Sequence, residues 1–159
     1  PGESDLFSIV SKEVGVPIIN EGVSGNTTSD GILRLDSDVL SKNPKIVFIL
    51  LGGNDYLQKK SKEETFANLR IMIEKIQQGG SIVVLMGVRG GIFVDRFEED
   101  YENLAKELHT GYVPNVLDGI ITNRTLMYDS IHPNDEGYRI ISLRVIPVLR
   151  DILEQREEI

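Results

Sequence analysis

Two almost uninterrupted apolar stretches, Lys45 to Leu51 and Ser81 to Gly87, limit what this chain can fold into more than any other feature. A strand with one wet face alternates apolar and polar residues. A strand covered on both faces has no polar side to show, and parallel sheets flanked by helices are built from such strands. Between the two runs, Ser61 with Glu64 three residues on reads as a capping box. It precedes Phe66, Leu69, Ile73 and Ile76 at helical spacing, and Gly79-Gly80 ends the pattern. Strand, helix, strand in this order is the unit from which a parallel sheet grows.

The alternation extends in both directions. Leu6, Phe7, Ile9, Val10 and Val14 mark a helix after Ser4, a good N-cap residue, with Gly15 as its stop. Val16 to Asn20 reads as a short buried strand, and a glycine-rich turn then leads into a helix carrying Ile32, Leu33, Leu35, Val39 and Leu40. Further on, Phe97, Tyr101, Leu104, Ala105 and Leu108 predict an amphipathic helix, Tyr112 to Leu117 a strand, and Tyr138 to Leu153 a last helix. The units together predict a three-layer α/β/α sandwich around a mostly parallel sheet. With 159 residues, 40% of them hydrophobic, the chain suffices for one such core and is short for two, so residues 1–159 read as a single domain.

Charge and composition narrow the partners. A net charge of -8 without a dense run of Lys or Arg argues against a nucleic-acid or anionic-membrane surface. No apolar run reaches the roughly 18 residues a membrane helix needs. The absence of cysteine excludes disulfides and thiolate metal sites, and no other metal-ligand spacing is present. A cysteine-free chain beginning at Pro1 suits the cytoplasm or an exported location equally, and is compatible with an upstream signal segment.

Chemistry concentrates in three segments: Gly22 to Thr27, Gly52 to Asp55, and Asp129 to Asn134. All three fall at or after predicted strand ends, where ligands gather in open α/β sheets, so their placement fits one shared site. Acyl transfer requires a base, a carboxylate to orient it, and donors aimed at the developing oxyanion. His132 suits the base and Asp129 its orienter; Gly25 offers an unobstructed backbone N–H, and the Asn54 amide a second donor. Asp55 reads equally as support for these groups and as a helix cap. His109 has no chemical partner nearby in sequence and reads as exposed, while Asp36, Asp38, Glu98, Glu99 and Asp100 read as solvated helix faces.

In these segments the chain resembles the SGNH hydrolases, also called GDSL esterases and lipases, over essentially its whole length. Gly25 stands at the glycine of that family's second block, Asn54 at the amide of its third, and Asp129 and His132 in its final D-x-x-H block. The resemblance implies a flavodoxin-like sheet and a cofactor-free serine esterase of the lysophospholipase or thioesterase kind, acting on a small ester or thioester. Which ester, and in what oligomeric state, it leaves open. A second reading keeps the scaffold as an inactive module that binds an acyl or glycan ligand.

The departure is the family's first block, G-D-S on a turn after the first strand. Gly2-Glu3-Ser4 imitates it with no strand before it, and Ser4 is a lesser candidate for the nucleophile. Ser24, in Gly22-Val23-Ser24-Gly25-Asn26, partly matches the G-x-S-x-G elbow and is another. The expectation is instead a nucleophile upstream of Pro1. The family's first strand lies inside the sheet, between the strands read here at 16–20 and 45–51. Residues 1–159 alone are therefore expected to lack a central strand and not to form a stable monomer.

Overall fold

A computed structural model of the protein describes residues 5–88, 97–130 and 132–157. Within them the fold is α/β with a parallel sheet, in two compact units: residues 21–115, and residues up to 20 together with 116 onward.

The first of these units holds the sheet. Strand β1 (Ile46–Ile49) pairs in parallel with β2 (Ile82–Met86), Ile46 opposite Ile82, and β2 pairs in parallel with β3 (Gly111–Val113), Val84 opposite Gly111. The order is β1-β2-β3. Four of the five β2 residues are buried, as the middle position demands. In β1 only Val47 and Ile49 are buried, so the second apolar run is covered on both faces and the first only on alternate residues.

Helices α2 (Thr28–Arg34), α3 (Gly53–Leu57), α4 (Lys62–Gln78) and α5 (Phe97–Glu107) complete the unit. A π-helical turn, Leu35–Val39, and a 3-10 turn, Leu40–Lys42, continue from α2. Helix α4 starts where the sequence says, with Ser61 Oγ accepting the Glu64 N–H at 3.1 Å; the Glu64 carboxylate turns to Lys60 Nζ at 3.4 Å. Leu69, Met72, Ile73 and Ile76 of α4 and Val83, Val84, Leu85 and Met86 of β2 are all but inaccessible and form the core.

In the other unit, α1 (Leu6–Val14) packs on α6 (Asp135–Glu157), burying Leu6 and Val10 on one and Ile141, Val145 and Leu149 on the other. The α1 cap is Asp5, whose Oδ1 accepts from the Phe7 and Ser8 N–H groups, and not Ser4, which lies outside the described residues. An acidic cap one residue later satisfies the same orphan donors.

Residues 16–20 form no strand, against expectation: Ile19 is 64% exposed. Pro17 carries no N–H to give a ladder, and the Val16 carbonyl accepts from the Ser11 hydroxyl at 2.7 Å. Strand β3 covers only the start of the stretch expected at 112–117, and α6 begins before Tyr138 and runs past Leu153. Among the described residues no helix is long and apolar enough to cross a membrane.

Candidate active site

The Gly25 and Asn54 segments both belong to the sheet unit, and polar bonds tie them together. The turn before α2 puts Gly25 at φ 85°, a backbone region open to glycine and strained for other residues. Thr27 then caps α2 in a reciprocal box with Asp30. The Thr27 backbone N–H and hydroxyl, donating to Asp30 at 2.8 and 2.7 Å, hold its carboxyl below the usual carboxylate range. The Asn54 Nδ2 donates one hydrogen to the Asn26 carbonyl at 2.9 Å, leaving its second N–H without a partner among the described residues. An amide N–H of this sort and a backbone N–H such as that of the Gly25 turn are the kinds of donor an oxyanion needs.

Asp55 is fully buried, and its carboxylate accepts the Thr28 backbone N–H at 2.9 Å and the Thr28 hydroxyl at 2.5 Å. Asn68 of α4 donates to the same hydroxyl at 3.1 Å. Helix α3, carrying Asn54, is thus bolted to the first residue of α2, just past the Gly25 turn. Sequence reasoning missed Thr28 and Asn68. The Thr27-x-x-Asp30 spacing was a readable cap signal, but nothing local reveals that Asn68 reaches back 40 residues to Thr28.

Asp129 and His132 lie together in the other unit. The segment leaves a 3-10 turn, Arg124–Leu126, and enters α6. Met127 and Pro133 make an antiparallel bridge, and the Tyr128 N–H donates to the His132 carbonyl at 2.8 Å. Asn134 seals the base of this loop: its Nδ2 donates to the Thr125 carbonyl at 2.9 Å, and its Oδ1 caps α6 through the Gly137 N–H at 3.1 Å. Asp129 grips His132 twice, with Oδ1 accepting the backbone N–H and Oδ2 facing ring Nδ1, each at 2.7 Å. In the tautomer with its proton on Nδ1, the ring donates to the carboxylate and Nε2 carries the free lone pair. Nearby, burial first, and then the charges of Asp5 and Asp129, push the Tyr138 phenol up from its ordinary pKa.

The serine candidates divide. Ser4 lies outside the described residues. Ser24 sits exposed in a turn, and with no strand at 16–20 it has none of the strand-to-helix framework on which a nucleophile elbow stands. His109 is exposed at the end of α5, as expected. Among the described residues, no three His, Asp or Glu side chains gather as a metal ion would need.

The pattern has relatives. Residues 2–140 match the model of the GDSL-like lipase/acylhydrolase family. The chain is 34% identical over 128 residues to an arylesterase of Vibrio mimicus, which covers 77% of this chain and 64% of the relative. It is 30% identical over 142 residues to the esterase TesA of Pseudomonas aeruginosa, covering 86% of this chain and 71% of that one. Among solved structures, the crystal structure of TesA superposes with a TM-score of 0.86 at 26% identity, over 94% of this chain and 89% of that one. Likeness that runs through all three chemical segments, in sequence and in fold, has one reading: the chain belongs to the GDSL-like lipase/acylhydrolase family.

Proposed function

We propose that the protein hydrolyses carboxylic esters or thioesters through a serine acyl-enzyme, with His132 as base, Asp129 as its orienter, and Gly25 and Asn54 as oxyanion donors. The observation that carries this reading is the paired grip of Asp129 on His132, at 2.7 Å to both the ring and the backbone. A histidine held at its own N–H cannot slide, and one held at Nδ1 presents a single tautomer.

A serine hydroxyl attacks the acyl carbon as its proton passes to His132 Nε2, and the carbonyl oxygen becomes an anion held by the two donors. Collapse expels the alcohol or thiol, which takes the proton back from His132. Water then repeats the sequence on the acyl-enzyme and releases the acid. The attacking serine is the one that labelling identifies, Ser4 and Ser24 being the candidates named within residues 1–159. The relatives' names, an arylesterase and an esterase, support starting with aryl esters as test substrates.

A fluorophosphonate probe tests this on the full-length protein. Labelling is expected on one serine, with His132→Ala cutting both labelling and hydrolysis of a short-chain aryl ester by about 10²–10⁴-fold while the chain stays folded. No adduct on any serine, or more than a tenth of activity retained by His132→Ala, overturns the assignment.

A further inference from the structure

The amide of Asn54 is fixed by more than its own bond to Asn26. Strand β1 ends at Ile49, and two residues later the Leu51 carbonyl is outside the ladder. The hydroxyl that reaches it comes from Tyr101 on α5, fully buried, at 2.6 Å. The next residue, Gly52, turns the chain at φ 113° into α3 and caps that helix without any side-chain bond. A Cβ at Gly52 would lie 2.1 Å from the Tyr101 oxygen, so the phenol occupies the space that any larger residue there would need. The Phe66 ring, edge-on to Tyr101 with centroids 5.0 Å apart, braces it. Asn54 is the second residue of the helix that this turn launches.

We propose that Tyr101 is a positioning residue for Asn54: its hydroxyl, bonded to the Leu51 carbonyl and packed over Gly52, sets the turn that aims the Asn54 amide. The proposal rests on the reading of Asn54 as an oxyanion donor. The bland alternative is a core tyrosine satisfying a stray carbonyl. The two differ in what removing one oxygen does. A filler costs stability alone, whereas a mispositioned donor costs transition-state stabilisation, because small displacements at a reacting centre weigh heavily on rate.

The test is Tyr101→Phe in the full-length protein, alone and combined with Asn54→Ala, assayed on a short-chain aryl ester. Asn54→Ala alone is expected to lower kcat about 10²–10³-fold. Tyr101→Phe alone should lower kcat about tenfold with KM held within about twofold. In the Asn54→Ala background it should lower kcat little further, since the donor it positions is gone. The Asn54 side-chain amide resonances, identified by their loss in Asn54→Ala, should move in Tyr101→Phe. Gly52→Ala presses on the same hydroxyl from the other side, and should move the same resonances and lower kcat in the same way. Equal kcat losses in both backgrounds, an unchanged kcat, or Asn54 resonances that stay in place in both variants overturn the proposal. A kcat insensitive to Asn54→Ala overturns instead the donor reading beneath it, whatever the resonances do.

Discussion

The two halves of the candidate chemistry are held in contrasting ways. Asn54 sits beside a fully buried carboxylate, Asp55, whose acceptor bonds reach back 27 residues to Thr28, and a buried phenol from α5 fixes the turn before it. The Asp129–His132 pair is nearly half exposed, with side chains 44% and 46% accessible, and the two bonds between its members span three residues of one loop. An oxyanion donor works only if it is in place before charge develops, so rigidity bought by burial suits it. A base must carry a proton in and out, and local bonds that fix a tautomer are enough for that. The contrast implies that removing a polar bond on the donor side unsettles the fold along with the chemistry, whereas removing one between Asp129 and His132 acts mainly on the chemistry. Ranking variants by loss of stability tests it.

The largest loss is expected for Asp55→Ala. It strands the Thr28 N–H and hydroxyl in a buried site, and each such group costs about 1–3 kcal/mol. At roughly 2–4 °C of melting temperature per kcal/mol for a chain of this size, a fall on the order of 5–15 °C follows, measured by circular dichroism. A melting temperature within about 2 °C of wild type, roughly 0.5–1 kcal/mol on the same scale, would remove the supposed rigidity of the donor side.

How much of this was legible depends on how far each bond reaches along the chain. The Asp129 to His132 spacing declares itself because both partners lie within one turn of sequence, and the Ser61 cap is readable for the same reason. Asp55 left two readings open, since an acid in a first helical turn looks alike whether it faces water or a threonine on another helix. The misreading of 16–20 has a different cause: apolar content at Ile18 and Ile19 suggested a strand, but an apolar run states a preference for burial and not a neighbour to pair with. Tyr101 looked like one core position among several on α5. Its bond to Leu51 spans 50 residues, and only the fold brings the two together.

An intermediate loss is expected for Gly137→Ala, which loads the boundary of the base-side loop. A Cβ there would lie 2.4 Å from the Leu126 carbonyl oxygen and 2.8 Å from Pro133 Cβ, and the carbonyl belongs to backbone that cannot turn aside as a flexible side chain would. Overpacking of this kind costs about 1–3 kcal/mol. The strain falls on the residues flanking Asp129 and His132, so kcat on an aryl ester should drop as well. A stable variant with full activity would mean that α6 and the loop have slack the close approach conceals.

The smallest structural effect, with a large chemical one, is expected for Asp129→Asn. The substitution keeps an oxygen for the His132 backbone N–H, so the loop has no reason to open. At the ring, an amide nitrogen facing Nδ1 donates where the carboxylate accepted, which moves the imidazole proton to Nε2 and leaves no lone pair there to take a proton from serine. An inverted tautomer of this kind costs on the order of 10⁴-fold in kcat in a serine triad. A half-exposed pair, by contrast, contributes under about 1 kcal/mol to stability, so the melting temperature should move by less than about 4 °C. Both quantities come from the same preparation, with hydrolysis of an aryl ester beside thermal unfolding. A melting shift as large as that of Asp55→Ala would show that the base-side loop bears on the fold as heavily as the buried donor side does, and the distinction between the two halves would fall.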